Sequence, residues 1–248
     1  MNTIYILWLR QIKKYLRSRS RVIGSLAQPI LFLLAFGFGF GNVYSKAGGG
    51  NYIQFLAPGI IAMSVLFTSV FAGIEIIWDR QFGFLKETLV APVSRFEIML
   101  GRTLGGATVG SIQGIIVFLL TLFVGFRPVN IALLPLGLLF IFLIGIFFTS
   151  VGTAIASRLE DMQGFQLIMN FLIMPIFFLS GALFPLENLP KAMEIIVKID
   201  PLTYGVDGLR GSLIGNPSFS LGYDFAILAV VTLAFLLIGS YLFSKIEV

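Results

Sequence analysis

The sequence contains no cysteine and no histidine among its 248 residues, and only 12% of its residues are charged. The absence of cysteine excludes disulfides and thiolate metal sites. Neither a G-x-S-x-G elbow nor an H-E-x-x-H helix occurs, so the usual hydrolase and metalloprotease chemistries have no residues to act through. A G-x-x-x-x-G-K-[ST] loop is also missing, so ATP is not bound through a P-loop. We therefore expect a non-enzymatic protein with no cofactor or metal site of its own.

Apolar residues dominate the composition, at 57% of the chain with 26 phenylalanines, which is far from the average of soluble domains. Charge-free stretches cover residues 22–45, 47–74, 103–126, 128–157, 162–186 and 225–244. Each is long enough to cross a hydrocarbon core, which needs roughly 20 residues in a helix. Barrel strands would instead alternate polar and apolar residues over about ten positions. The sequence predicts an all-α polytopic membrane protein with six transmembrane helices.

The basic residues predict the orientation. With a cytoplasmic amino terminus, twelve of the seventeen Lys and Arg residues lie inside, and the two short outer loops hold one each. The positive-inside rule therefore places both termini in the cytoplasm. Because the basic residues flank spans and no recognition motif accompanies them, we expect no nucleic-acid binding. The first apolar stretch is longer than a signal-peptide core of roughly 7–15 residues and lacks a cleavage pattern, so we expect it to be retained.

The amino-terminal residues have an amphipathic pattern. Apolar and basic residues take opposite sides of a helix over residues 3–17. The apolar side holds Ile4, Trp8, Ile12 and Tyr15 or Leu16, and the basic side holds Arg10, Lys13, Lys14 and Arg17. Residues 1–21 are therefore predicted to form an interfacial helix on the inner leaflet, ahead of a transmembrane domain over residues 22–248. Packing of this helix on a partner protein is the alternative.

Residues 79–102 join the second and third apolar stretches and mix charges of both signs with apolar residues. Leu85, Thr88 and Leu89 share one face of a short predicted helix, which Pro92 ends. Such a helix presents apolar anchors with a charged rim to a soluble partner. The alternative is an amphipathic segment that lies on the inner leaflet.

The residues after this helix predict a rigid elbow. Ser94 is placed to cap a following helix, and Glu97, three residues on, is its capping-box partner. On the third stretch, Gly106, Gly110 and Gly114 recur every four residues, a spacing that lets helix backbones approach. The motif alone fits packing within one protomer and packing at a dimer interface.

Several stretches together resemble a known family. They are FLAPGIIAMSVLFTSVF at 55–71, WDRQF at 78–82, GFLKETLVAPVSRFE at 83–97, GRTLGG at 101–106, SGALFPLENLP at 180–190 and DPLTYGVDGLRG at 200–211. With the amino-terminal amphipathic helix, they make essentially the whole chain similar to membrane-spanning permease subunits of type 2 ABC exporters. The resemblance is to the branch with daunorubicin-resistance-type and nodulation-factor-type exporters.

The resemblance implies a permease that works as a dimer, with a second identical or homologous copy, in the plasma (inner) membrane of a bacterium or archaeon. Two copies of an ABC ATPase subunit would bind the ATP and Mg²⁺. The loop at 79–102 would then carry a coupling helix that docks on the ATPase. Carried over to this sequence, the docking residues are Gly83, Leu85, Lys86, Glu87, Thr88, Leu89, Pro92, Val93, Ser94 and Arg95.

For the external segment 185–224, the resemblance implies two short re-entrant helices between spans five and six. Pro190 and Pro201 stand where such helices begin, and Asp207 and Arg210 are spaced to pair. We predict an outer gate at Pro185, Pro190, Pro201, Asp207 and Arg210, with a plain folded loop as the alternative.

The resemblance also implies that spans one and five form the dimer interface. We therefore predict that the glycine stripe of the third span packs within one protomer. Eight uncharged residues, six of them aromatic, are candidates for lining a path between two protomers: Phe32, Phe36, Phe67, Phe71, Asn170, Met174, Phe177 and Phe178. Contact with lipid or core is the alternative for the aromatic residues, and a bond to another helix is the alternative for Asn170. Such a wall suits a hydrophobic or amphipathic cargo, namely a drug, a lipid or a lipid-linked glycan.

Two other functions compete with an exporter subunit. An ion-coupled carrier usually needs ionisable groups near the membrane centre, yet Glu75, near the cytoplasmic end of the second stretch, is the acid closest to a span. The second competitor is a membrane assembly subunit that transports nothing.

Overall fold

The structure is a computed structural model that describes residues 2–46, 50–186 and 189–246. Within these ranges the secondary structure is helical throughout. The helices are α1 Asn2–Arg17, α2 Arg19–Gly39, α3 Gly41–Lys46, α4 Tyr52–Phe71, α5 Ile74–Gln81, α6 Phe84–Val90, α7 Arg95–Val124, α8 Leu134–Ala156, α9 Met162–Leu179, α10 Lys191–Ile199, α11 Pro201–Ile214 and α12 Leu221–Ser244, with a 3₁₀ turn at Ile131–Leu133.

Six helices in the described part of the chain are long and apolar enough to cross a membrane, which confirms the predicted six spans. They are Arg19–Gly39, Tyr52–Gln81, Arg95–Val124, Ile131–Ala156, Met162–Leu179 and Leu221–Ser244. The third begins eight residues before the charge-free stretch that predicted it, because the capping box at Ser94 starts the helix early. The fifth ends at Leu179, since Gly181 turns the chain with a φ of 75°.

The centre of the bundle is α4, which is buried along most of its length between α7, α8 and α11. Glycines permit the close packing. A Cβ added at Gly106 would lie 2.5 Å from the Thr149 methyl group of α8, and one added at Gly114 would lie 2.5 Å from a Val65 methyl group of α4. The glycine stripe of α7 therefore packs within this chain, as predicted.

The break between α4 and α5 also lies at a close helix contact. A Cβ added at Gly73 would lie 2.9 Å from the backbone nitrogen of Thr153 on α8. Only a residue without a side chain fits between two backbones at this distance. The second span is therefore held against α8 at the point where it turns into α5.

The helix α1 runs beside the first half of α7. Gly101 packs against Ile4 and Leu7, and the Trp8 indole nitrogen donates a hydrogen bond to the Thr108 hydroxyl at 3.0 Å. A helix is present over Asn2–Arg17, and its side with Trp8 faces this chain rather than lipid or a partner. Its location on the inner leaflet stays a prediction.

The two short helices α10 and α11 begin directly after Pro190 and at Pro201, where the sequence predicted them. α11 is almost entirely buried against α4, α8 and α12. Its Gly205 contacts Ile144, which lies about 15 Å along α8 from Leu134 at the helical rise of about 1.5 Å per residue. α11 therefore reaches well down the side of a spanning helix, and its depth in lipid stays a prediction.

Candidate coupling and translocation sites

The short helix α6 stands between two turns that fix its direction. Gly83, with a φ of 81°, starts it in the left-handed region that favours glycine. Its last residue is followed by Ala91 in extended conformation, as expected for the position before Pro92. The Ser94 hydroxyl then accepts a hydrogen bond from the Glu97 backbone nitrogen at 3.1 Å, and the complete capping box is present. The predicted helix and rigid elbow are both confirmed as structure.

The face of α6 that points outward differs from the predicted one. Leu85 is fully buried in this chain and Leu89 is half-buried, so the predicted apolar face anchors α6 to its own protein. The opposite side exposes Lys86 and Glu87, together with Val90, which is 85% exposed. Leu85 cannot meet a partner unless α6 moves away from the bundle. Of the predicted docking residues, it is the one that the structure places inside.

An exposed apolar patch surrounds α6. Phe82, Phe84, Val90 and Phe96 are each about half or more exposed, and we call these four residues the loop patch. All four residues lie between the second and third spans in the sequence, but helical spacing alone did not predict which face of α6 is exposed. The two phenylalanines that flank Gly83 were the available signal, because aromatic residues exposed on a polar loop typically mark a contact surface.

The end of α5 holds the loop between α8 and α9 in place. The Arg80 guanidinium donates to the backbone oxygens of Leu159 at 3.0 Å and Ser157 at 3.2 Å. The Gln81 amide donates to the backbone oxygen of Glu160 at 3.1 Å. These three bonds connect the end of α5 directly to the loop between α8 and α9.

Two buried carboxylates of α5 connect α1 to the bundle. Asp79 accepts from Arg10 at 3.0 Å and from Arg102 of α7. Glu75, one helical turn away, accepts from Lys14 and Arg21, each at 3.2 Å. These four basic residues come from α1, α2 and α7. The network therefore ties three helices to the segment that leads into α6, and the sequence did not predict its pairing.

The path candidates divide into exposed and enclosed residues. Asn170 and Phe178 are exposed on α9, and Met174 is half-buried beside them. Phe177 is almost fully buried and its ring lies 6.1 Å from that of Phe32 on α2, so it joins the first and fifth spans. Phe36, Phe67 and Phe71 are half-buried. The candidates thus lie on one side of the bundle, but only some of them are exposed on its surface.

The outer residues make bonds that differ from the predicted pair. Asp207 accepts from the backbone nitrogens of Ser218 at 2.8 Å and Phe219 at 2.7 Å. Arg210 donates to the Gly181 oxygen at 2.9 Å and lies 4.1 Å from the ring centre of Phe55. Asp207 and Arg210 form no direct ion pair in the described part of the chain, because each side chain bonds to backbone groups of a different loop. The charge of Asp207 nevertheless still acts on Arg210.

Two of the three prolines of the predicted outer gate lie at the starts of helices. Pro190 and Pro201 start α10 and α11, and Pro185 is exposed in the preceding segment. Between the two helices, the Asp200 carboxylate accepts from the Leu202 backbone nitrogen at 2.9 Å. Burial raises the pKa of the Asp200 carboxyl to about 7, and this hydrogen bond opposes the shift without cancelling it.

The fold and these sites define a polytopic helical membrane protein that presents a short, braced helix between its second and third spans. The ABC-2 type transporter family matches residues 2–214, and the chain belongs to that family. It is therefore a transport permease, the membrane component of an ABC transporter.

Curated relatives cover nearly the full chain. The protein called ycf38 of Cyanophora paradoxa is 29% identical over 98% of this chain and 88% of its own length. Nodulation protein J of Rhizobium leguminosarum bv. viciae is 26% identical over 90% of this chain and 86% of its own. The inner membrane transport permease YadH of Escherichia coli K12 is 28% identical over 94% of this chain and 91% of its own.

Proposed function

We propose that this permease forms one half of the translocation path of an ATP-driven exporter. Two copies, identical or closely related, would work with two separate ATPase subunits that bind ATP and Mg²⁺. The observation that carries the proposal is the geometry of α6. Its inner face is anchored by Leu85, while the loop patch and the charges of Lys86 and Glu87 remain free to meet a partner.

The docking surface follows from this geometry. It comprises the outward side of α6 and the elbow at Pro92–Arg95, with Glu87 and Val90 near its centre. Leu85 supports it from inside. An apolar patch with a charged rim is typical of a protein interface. The apolar contacts in such an interface exclude water from the contacts that charged residues make.

The braces around α5 supply a route for movement. Closure of two ATPase subunits on ATP would pull α6, and the bonds of Arg80 and Gln81 would carry the displacement to α9. ATP shifts the equilibrium between the open and closed arrangements only as far as it binds the closed one more tightly. A shift from 1:99 to 99:1 requires a difference in binding free energy of roughly 5.5 kcal/mol.

The exposed side of α9 supports the dimer. Gln163, Gln166 and Asn170 lie on this side at near-helical spacing, and each is exposed. An amide facing hydrocarbon lacks a hydrogen-bond partner, so these side chains favour a second protomer or a wet path over lipid. Disulfide cross-linking between copies that carry Gln166→Cys tests this contact, and Val230→Cys on the exposed side of α12 is the matched control.

The path candidates support a cargo with a large apolar part. Phe32, Phe36 and Phe178 border the same side of the bundle as Asn170, and the described residues of that side carry few charges. A drug, a lipid or a lipid-linked glycan fits such a wall.

The substitution Val90→Asp tests the docking proposal. Val90 is 85% exposed, so the change should leave the fold intact while a carboxylate is placed in the interface. We expect loss of ATPase co-purification by about tenfold or more. Val129→Asp, at a valine 73% exposed near the opposite end of the bundle, is the control and should retain the ATPase.

Equal retention of the ATPase by both variants would contradict the docking surface. Transport that continues with an inactive ATPase, and stops when ion gradients are removed, would point to an ion-coupled carrier instead.

A further inference from the structure

A cavity of about 370 Å³ lies inside one protomer, between α1, α2, the α4–α5 helix and α7. Its size falls in the range of small-molecule sites, roughly 300–1,000 Å³. It lies at the end of the bundle that carries the basic amino-terminal residues. The coupling surface on α6 does not border it.

The wall of the cavity combines apolar and polar residues. Met63, Phe67 and Phe71 of α4 supply the apolar part. Gln11 of α1 lines the cavity with only 9% of its surface exposed, and its side chain makes no hydrogen bond to any described residue. Gln28 and Thr68 also line it without a side-chain hydrogen bond in the described ranges. Gln11 is buried, and a buried amide without a partner is costly, so Gln11 favours a polar occupant.

The rim of the cavity has an excess of positive charge. Lys14 and Arg21 both bind Glu75 at 3.2 Å, and their charged groups lie 5.3 and 6.0 Å from the ring centre of Trp78. A single carboxylate thus faces two cations. Next to the rim, a basic concavity holds Lys13, Arg17 and Arg19, none of which has a carboxylate partner among the described residues.

We propose that this cavity binds one amphipathic molecule with an anionic, phosphate-type headgroup, taken from the surrounding membrane leaflet. The headgroup would lie at Lys14, Arg21 and Trp78, and the tail would extend between Phe67 and Phe71. Clustered basic residues next to a spanning helix attract anionic lipid by about 1 kcal/mol for each Lys or Arg. A cationic or uncharged headgroup would leave the positive rim without compensation.

The site shares Phe67 and Phe71 with the predicted path, so it deepens the proposed export function and rests on it. Binding requires one protomer and no ATPase, so it is measurable on the purified permease alone. A failed binding experiment would therefore leave the docking surface on α6 untouched.

Quenching of Trp78 fluorescence by brominated lipid tests the proposal. The chain has two tryptophans, so Trp8→Phe leaves Trp78 as the sole reporter. In this background the permease is placed in phosphatidylcholine nanodiscs with a minor fraction of brominated phosphatidylglycerol or brominated phosphatidylcholine. We expect the brominated phosphatidylglycerol to quench at an at least fivefold lower mole fraction, which corresponds to about 1 kcal/mol.

Two variants separate the cavity from bulk lipid. Gly24 lines the cavity, and a Cβ added there meets nothing within 4 Å, so Gly24→Leu should fill the space and reduce the quenching by anionic lipid. Gly39→Leu is the control, because Gly39 lies on the same helix with equal free space and away from the cavity. Arg21→Gln should leave tail binding in place and reduce the preference for phosphatidylglycerol about fivefold.

Each outcome decides a part of the proposal. Equal quenching by the two brominated lipids would overturn the anionic headgroup. Unchanged quenching in Gly24→Leu would show that lipid at the protein surface, and not lipid in the cavity, reaches Trp78. Relief of quenching by inorganic phosphate alone would identify a soluble phosphate as the ligand and overturn the lipid source.

Discussion

Single charged residues decide how the amino-terminal helix is attached to the bundle. Asp79 is 4% exposed and accepts from both Arg10 and Arg102, and Arg102 is equally buried. Two of the three guanidinium nitrogens of Arg102 have no partner in the described residues, so Asp79 is its main compensation. Removing one member of a buried ion pair costs more than the pair contributes, since the other charge stays buried.

Asp79→Asn should therefore destabilise the permease by about 3–5 kcal/mol. The thermal unfolding midpoint in detergent, followed by loss of the monodisperse peak, measures this effect. Arg10→Gln removes the other partner of the same carboxylate, but Arg10 is 42% exposed, and we expect a loss within about 1 kcal/mol. Equal midpoints for the two variants would contradict the role assigned to Asp79.

Asp200 makes stability depend on pH. Burial raises the pKa of its carboxyl in the folded protein to about 7, well above the ordinary value near 3.8. The folded state therefore binds more protons than the unfolded state between these values. The stability that the protonated carboxyl contributes is present below about pH 4 and is lost as the pH rises through about 7.

Asp200→Asn should flatten this pH dependence. Asparagine still accepts from the Leu202 nitrogen as a helix cap but cannot ionise. We expect the variant to exceed the parent protein in stability at pH values above about 7, by up to about 4 kcal/mol, and to match it in acid. Unfolding midpoints across the pH range measure the effect, and parallel curves for the two proteins would refute it.

At the scale of residues, the sequence predicted local hydrogen bonds, but it did not predict contacts between distant parts of the chain. The capping box at Ser94 is a local pattern, so it was predictable. The partners of Asp207 and Arg210 are backbone groups that lie 11 and 29 residues away along the chain, and helical spacing carries no information about them. Whether the Leu85 side chain faces the bundle or a partner likewise depends on how α6 packs against the bundle, which helical spacing does not predict.

At the scale of elements, glycines set how closely the spans pack. The stripe on α7 meets α4 and α8 of the same chain, whereas Gly39 at the end of α2 meets nothing within 4 Å. Glycine in a helix costs up to about 1 kcal/mol relative to alanine, so it is kept where a side chain does not fit.

Gly106→Ala should destabilise the permease by about 1–3 kcal/mol, because the new methyl group overlaps the Thr149 methyl group and the Ala72 side chain. Gly39→Ala should be neutral or stabilise by up to about 1 kcal/mol. Thermal midpoints of both variants in the same detergent give the comparison. A stabilised Gly106→Ala protein would show that α7 does not pack as described.

The elements themselves were largely predictable. Charge-free length predicted the six spans, since hydrocarbon imposes a minimum helix length. The family resemblance implied two short helices in the outer segment, and Pro190 and Pro201 lie at the starts of α10 and α11, because proline suits the first turn of a helix. The pairing of α1 with α7 was not predictable, because an apolar helix side fits lipid and another helix equally well.

At the scale of the whole molecule, the chain combines a packed centre with three weakly covered spans. α4 is enclosed, whereas only 17% of the apolar stretch of α2, 17% of that of α12 and 22% of that of α9 is buried in this chain. Two of the path candidates, Asn170 and Phe178, lie on the uncovered side of α9. The helix α6 follows α5, and Arg80 of α5 bonds to the loop that leads into α9. This arrangement fits a subunit whose motion is driven from outside.

The central claim is that a separate ATPase drives this permease through α6. Because the chain has no cysteine, Val90→Cys provides a single attachment point for a short photo-crosslinker in native membranes. We expect an adduct with a P-loop ATPase whose yield changes with nucleotide, and none from Val129→Cys near the opposite end. Full labelling at Val90 without such an adduct, while the ATPase is present in the membranes, would contradict the account.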